Sequence, residues 1–382
     1  MPATARAETV GSLLRPQAVL AERQALRDGR GSEAALRAAE DAAVLDALKL
    51  QESVGLDVVS DGEMRRRSWI STIPIAADPT HKPAFSGFEI RSDAGPGWVR
   101  YWNDAQGNVV ERAFPARSVV TKRMQALNDI VSPEYAFVKQ HTAKRSKFTF
   151  PAPSYHRIYW HPELSKAAYP TVDNFLEHIR DLLRTELVDK AIALGCDYIQ
   201  LDAPNYGQFY VDPRVRAGYE AEGHDLDANL IADAEIDSSM FDGISGVTRA
   251  IHVCRGNGPG GIWSANGGYE RIAGEMFPRL KNVDTLLLEY DTDRAGGFEP
   301  LRHVQPHQTV VLGLLTTKDG ALESVETLEG RIREAAKDVP LDRLALSPQC
   351  GFNSAGAGNN ITPAQQEAKL RRLVEVARKV WA

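Results

Sequence analysis

The sequence predicts an α/β protein folded as a closed (β/α)8, or TIM, barrel, and three observations predict it. About eight short apolar runs recur along the chain, each ending on polar or metal-ligand side chains. Most are followed by a stretch with apolar residues at helical spacing. Strand and helix therefore alternate, which is the pattern of parallel β/α units. In such a barrel the C-terminal rim of the strands carries the chemistry.

Composition narrows the class. The chain of 382 residues is read as one catalytic domain, 1–382, and its net charge of −6 gives no basic footprint for nucleic acid. No apolar run reaches the ~20 residues that a membrane helix needs. Residues 1–6 lack the apolar core of a signal peptide. Three cysteines are an odd count and too few for a disulfide framework, so free thiols and a cytoplasmic location are expected.

Taken in order, Thr9-Val10 starts a strand that breaks at Gly11-Ser12, either a simple strand-to-loop turn or a place where backbone N–H groups hold a carboxylate or another anion. Pro16 opens a helix or a turn. Residues 33–54 read as a helix closed by Gly55. The strand 56–60 runs into Asp61-Gly62-Glu63 and then Arg65, Arg66 and Arg67, either a solvated loop or a charged floor for a small polar substrate. Residues 84–146 break the alternation and read as a β-hairpin/helix insertion after an early strand, with a helix near 133–142. Its Trp98, Tyr101 and Trp102 offer stacking surfaces or packing.

The core resumes with a strand at 147–150 and a helix at 172–194 capped by Gly195. The next strand delivers Asp202, while Cys196 sits at its opposite end and reads as structural. A helix over 232–250 leads to the strand at 251–254. After a glycine-rich loop at 256–268 and a helix at 269–278, the strand 283–288 ends in Glu289. The strand 309–315 ends in Thr316-Thr317-Lys318, and a helix spans 322–336. The last strand, 344–346, presents Cys350, and 363–381 is the closing helix.

His252 and Cys254, one residue apart, can reach one metal ion if they sit where a strand ends. Cys350 and Glu289 hold similar places. A His, Cys, Glu and Cys set is a soft-metal site, with zinc the first choice. The alternative is that each cysteine is a small buried hydrophobe.

Taken together, Val10-Gly11-Ser12, Asp61-Gly62-Glu63, Leu201-Asp202-Ala203-Pro204, His252-Val253-Cys254, Glu289 and Ser347-Pro348-Gln349-Cys350-Gly351 are specific. In them the chain resembles the cobalamin-independent methionine synthase family, in its C-terminal catalytic barrel. Runs such as Leu288-Glu289-Tyr290-Asp291 and Gly297-Phe298-Glu299-Pro300 look closer to the short, single-barrel, methionine synthase-like branch. That branch is related to the epoxyalkane:coenzyme M transferases. The resemblance implies Zn2+ on His252, Cys254, Glu289 and Cys350. It implies that Glu63 and Asp202 hold the amino group of homocysteine, and that the backbone at Gly11 and Ser12 holds its carboxylate. Ligation would turn the thiol into a thiolate, the nucleophilic form.

The implied activity is methyl transfer to the thiol of homocysteine from methyl-tetrahydrofolate or methylcobalamin, the latter requiring a separate corrinoid protein. Full-length family members carry two barrels and a proton-donating histidine where this chain reads Thr316-Thr317-Lys318-Asp319-Gly320. Lys318 is then the candidate acid, beside Asp202 as the other candidate catalytic residue. A lysine suits an alkoxide better than a weakly basic amine. This keeps open epoxide opening by a thiol such as coenzyme M, and a non-catalytic metal- or thiol-binding barrel. The expected partners are a small-molecule thiol and an alkyl donor, with a homo-oligomer left open.

Overall fold

Six strands form one parallel sheet, in the order Leu344–Pro348, Thr309–Leu315, Thr285–Glu289, Thr248–Val253, Tyr198–Asp202 and Phe148–Pro151. Just before Phe148, Arg145–Ser146 pairs in parallel with Val58–Val59. Val58 in turn bridges Glu8, and Ala7 bridges Leu346 on the first strand of the sheet. Six sheet strands, the Val58–Val59 strand and the segment at 7–8 thus make a closed circuit of eight parallel members. The chain is an α/β barrel. This computed structural model describes residues 5–74, 78, 80–95, 97, 101–103, 107–111, 116–354 and 360–381.

The strands are apolar runs because they are covered on both faces, by helices outside and by each other's side chains inside. Val10, Val58, Tyr198, Ala250, Leu287, Val311 and Ala345 form a separate interior cluster, one residue from each of seven segments. Beside it Lys147 is fully buried and paired with Glu8 at 2.8 Å and with Gln200 Oε1 at 2.8 Å. A buried ammonium needs such partners. The interior is therefore a filled core, and the open end of the barrel is the place for a ligand.

The helices Glu33–Val54 and Pro363–Trp381 and the strand Thr309–Leu315 form as the spacing predicts. Gly55 closes the first of these in the left-handed region at φ 89°. Several boundaries differ. The helix expected over 232–250 is Leu226–Ser239, and Thr248–Val253 is strand. Gly243 and Gly246, both at positive φ, separate the two, and Ala250 sits inside the barrel. The helix expected over 172–194 carries a π-helical segment at Arg184–Val188. The first barrel segment pairs at 7–8 rather than at Thr9-Val10. The helix Gln17–Arg27 follows Pro16, one of the two outcomes expected there, whereas helices Asn205–Tyr210 and Pro213–Ala221 were not anticipated.

Within 84–146 two antiparallel pairs form, Phe88–Arg91 with Arg117–Val120 and Tyr101–Asn103 with Val109–Glu111. Trp98 lies outside the described residues. The Asn103 N–H donates to the Trp263 carbonyl at 2.6 Å, tying this region to the loop after Thr248–Val253. Among the described residues no helix is long and apolar enough to cross a membrane.

Candidate metal and substrate site

His252 and Cys254 stand at the C-terminal end of one strand, and Cys350 lies just beyond another. Their ligand atoms all lie within 4.8 Å of one another, and all three residues are buried. His252 Nδ1 faces the Leu287 carbonyl at 3.2 Å, and Nε2 is buried without a hydrogen-bond partner. That contact favours the proton on Nδ1 and leaves the Nε2 lone pair for a ligand bond, the usual arrangement for a metal-binding histidine. The residues therefore fit a soft divalent metal.

The three groups also adjust one another's protons. Cys254 is pushed well up by its hydrogen bond with Cys350 and by burial. Cys350 is pushed well down, because the contacts with Cys254 and His252 outweigh burial. Burial alone would lower His252, but Cys350, Asp202 and Glu289 raise it.

Helix Asn205–Tyr210 packs tightly under this cluster. A Cβ at Gly207 would fall 2.1 Å from the Cys254 carbonyl oxygen, so only glycine lets the helix approach.

Glu63 and Asp202 line the same cavity of about 420 Å3 as His252, Cys254 and Cys350. Glu63 is the positive-φ non-glycine residue among the described residues, at 56°. Its N–H donates to Asp61 Oδ1 at 2.9 Å, which helps hold this unfavourable backbone. The result is a carboxylate aimed at Gly11, where a Cβ would meet Glu63 Oε1 at 2.6 Å. Glu63 Oε2 is buried without a hydrogen-bond partner, and Arg66 stays 3.8 Å from Oε1. Burial pushes Glu63 up to about 7 and Asp202 up to about 6. Asp202 accepts from Gln200 Nε2 at 2.7 Å. Two buried carboxylates in one cavity can bind a cation, and a bound cation would favour their ionised forms.

Ser12 lines the cavity as well; its Oγ accepts from the Asn353 N–H at 3.3 Å, and the Gly11 carbonyl accepts from Ser60 Oγ at 3.1 Å. Of the arginines after Glu63, Arg65 pairs with Asp41 and Arg67 with Asp78, while Arg66 pairs with Glu134 at 2.8 Å and also reaches Glu63 Oε1 at 3.8 Å.

Glu289 is fully buried, but it is not one of the three residues whose ligand atoms cluster. Its Oε2 accepts from the Arg255 N–H at 2.8 Å and its Oε1 from Arg294 Nη2 at 2.6 Å. Burial would raise its pKa, yet Lys318, Arg294 and Arg255 hold it down at about 2. Lys318 does not line the cavity. Its Nζ lies 3.7 Å from Glu289 Oε1 and 3.8 Å from Asp291 Oδ2.

Of the aromatic lining, only Trp102 was singled out from the sequence. Trp69 packs on Tyr155 with 4.6 Å between centroids and the rings tilted by 60°, and Tyr159, Ile158, Gln208 and Trp102 extend that wall. Arg117 pins it by donating to the carbonyls of Ala94 at 2.7 Å and Ile158 at 3.0 Å. Asn257 donates to the Gly351 carbonyl at 2.8 Å, bridging the loops that carry Cys254 and Cys350. The sequence signals for this wall were the 84–146 insertion with its Trp102 and, for Trp69, Tyr155 and Tyr159, aromatic content alone, which usually marks core.

Comparison with known proteins follows the same lines. Residues 274–379 match the family described as "Cobalamin-independent synthase, Catalytic domain". The uncharacterized proteins YxjH and YxjG of Bacillus subtilis are each 34% identical, over 98% of this chain and 94% of their own length. A 5-methyltetrahydropteroyltriglutamate–homocysteine methyltransferase of Nitratidesulfovibrio vulgaris is 26% identical over 98% of this chain, which spans only 41% of that protein. Among solved structures, a Listeria monocytogenes protein described as a vitamin-B12-independent methionine synthase superposes with a TM-score of 0.71 at 23% identity, covering 100% of this chain and 99% of its own. A B12-independent methionine synthase from Shewanella, solved with selenomethionine, gives 0.69 at 19% identity, covering 99% and 98%. At these identities the two structures establish the fold.

Proposed function

We propose that this chain, which belongs to the cobalamin-independent methionine synthase family, is a zinc-dependent alkyltransferase that methylates the thiol of homocysteine. The observation that carries this reading is one cavity: His252, Cys254 and Cys350 cluster within 4.8 Å and face the same space as the two buried carboxylates Glu63 and Asp202.

His252 Nε2 and the two cysteine sulfurs would hold the metal. When bound, zinc supplies acidity to a substrate thiol, and soft sulfur donors leave that sulfur nucleophilic. Glu63 and Asp202 recognise the ammonium group, since each becomes a better anion once a cation replaces lost water. A sulfonate in the same place would face two carboxylates, which sets homocysteine above coenzyme M. The Gly11-Ser12 turn beside Glu63 is the place for the substrate carboxylate. The wall of Trp69, Tyr155 and Tyr159 excludes water from the far side and offers aromatic faces to the methyl donor. Lys318 faces Glu289 and Asp291, so its placement supplies no proton to that space.

The test is direct. Zinc-loaded protein is mixed with homocysteine or coenzyme M, and proton release is followed with an indicator. Single-turnover mixtures with methyl-tetrahydrofolate and with methylcobalamin then identify the donor. Release with homocysteine and formation of methionine are expected. Protein without stoichiometric zinc, or one that ligates coenzyme M in preference, would overturn the reading.

A further inference from the structure

We infer that Arg294 and Lys318 hold Glu289 away from the metal, so that the resting site uses His252, Cys254 and Cys350 alone and keeps its remaining position for the thiol. The inference rests on the metal reading above and concerns what the strand-end carboxylate does beside it.

Four charged side chains are packed together at the end of Thr285–Glu289. Arg294 Nη2 donates to Glu289 Oε1 at 2.6 Å and to Asp291 Oδ1 at 2.7 Å. Lys318 Nζ lies 3.7 Å from the same Glu289 oxygen and 3.8 Å from Asp291 Oδ2. Both carboxylate side chains are 0% exposed, Lys318 is 7% exposed and Arg294 12%. Two cations thus balance two anions. The other Glu289 oxygen takes the Arg255 N–H at 2.8 Å, and Arg255 is itself fixed to the Glu289 carbonyl at 3.0 Å.

A buried carboxylate needs a partner, and a metal ion is one solution. Here the protein supplies another. To ligate a metal, Glu289 would release Arg294 or the Arg255 amide, leaving a buried donor unsatisfied. Three clustered protein ligands with one position left over is the pattern of a catalytic zinc rather than of a closed structural one. Lys318 Nζ has no hydrogen-bond partner of its own, so it acts on Glu289 through charge. It is a positioning residue carried on the loop Thr316-Thr317-Lys318.

The experiment measures zinc affinity by competition with a chromophoric chelator, and homocysteine binding by the visible spectrum of the Co2+-substituted protein. Glu289→Gln in the otherwise native chain should change zinc affinity by less than ~3-fold, whereas outer-shell losses that matter shift it by roughly 10–100-fold. Lys318→Met, which removes no hydrogen bond, and Lys318→Met with Arg294→Met should tighten zinc and weaken homocysteine. The double variant should do so by about tenfold or more. Adding Glu289→Gln to the double variant should reverse both effects, which simple loss of positive charge would not explain. A collapse of zinc affinity on Glu289→Gln alone, with Cys350→Ser equally damaging, overturns the inference and leaves the metal reading standing. A native chain that takes up no zinc removes the metal reading itself, and this inference with it.

Discussion

The two walls of the cavity are built by different parts of the chain. One wall is made of strand ends: Asp202, His252 and Cys254 sit on neighbouring strands, with Asp202 in register with His252. The other is Trp69, Trp102, Tyr155 and Tyr159, carried on loops, a short 3-10 helix and the antiparallel strands of the 84–146 region. The first wall is fixed by the sheet's hydrogen bonds, so its donor atoms can be placed to within the tolerance of a metal site. The second is fixed by side-chain packing and a few bonds such as Arg117 to Ala94, which suits shape recognition. Under the proposed function the strand wall would set the chemistry and the loop wall the choice of donor. Substitutions should therefore separate into two kinds.

The largest effect belongs to the strand wall. Cys350→Ser should reduce zinc affinity by more than the roughly 10–100-fold typical of outer-shell changes. It removes one of the three clustered ligand atoms. Metal analysis after dialysis against a chelator reads this directly. Unchanged zinc content would remove the distinction between the walls.

Next comes the carboxylate that bridges them. Glu63→Gln should weaken homocysteine by about 10–100-fold, the worth of a charged hydrogen bond, and leave zinc in place. The pH dependence has a definite sign. In the folded chain Glu63 is pushed up from 4.5 to about 7 by burial. Its neutral form is the one that suits the empty cavity, so stability is complete below the ordinary value and is lost as pH rises through about 7. An ammonium ligand prefers the ionised form, so homocysteine affinity should rise over that same window. In Glu63→Gln the rise should shrink, and the protein without ligand should gain stability at pH 8 relative to pH 5. A native-like slope in the variant would take Glu63 out of the ammonium site.

A smaller effect tests the loop wall. Trp69→Ala removes a half-buried ring that packs on Tyr155 at a tilt of 60°. An aromatic contact between this ring and the donor would be worth about 0.5–1.5 kcal/mol, so the donor KM should rise by roughly 2–10-fold. Zinc and homocysteine affinity should stay as they were. If homocysteine binding fell instead, the aromatic wall would belong to the thiol and not to the donor.

The difference between the walls also explains what could be read before the structure. The β/α alternation dictates where strands end, and chemistry-bearing residues at those ends converge whatever the loops do. Glu63, Asp202, His252, Cys254 and Cys350 line one cavity, a convergence that position and residue type made legible. Glu289 stands at its expected strand end but outside the clustered ligand atoms, and its pairing was not legible, because Arg294 and Lys318 reach it from separate loops. The aromatic wall needs the fold of 84–146, whose short antiparallel strands carry a weak periodic signal. The helix expected over 232–250 forms only to Ser239, for a local reason: two glycines at positive φ, Gly243 and Gly246, lie between it and the strand that begins at Thr248.

The smallest expected effect is at the third cysteine, and it is the control for all the others. Cys196 is buried, and its Sγ–H points to the Tyr198 carbonyl at 3.2 Å. It sits before Tyr198–Asp202, at the end of that strand away from Asp202. Burial pushes its thiol up to about 11, so at pH 8 only ~0.1% of it is thiolate, the form that reacts. Cys350, by contrast, lines the cavity and is pushed down by its neighbours. Alkylation of metal-free protein by iodoacetamide at pH 8 should therefore modify Cys350 first and leave Cys196 intact, with bound zinc slowing the reaction at Cys350. Cys196→Ser should keep full zinc content and cost about 1 kcal/mol, since a serine hydroxyl can still donate to the Tyr198 carbonyl. Labelling of Cys196 ahead of Cys350, read by peptide mass mapping, would mean that the strand wall is not the exposed, reactive face of this barrel.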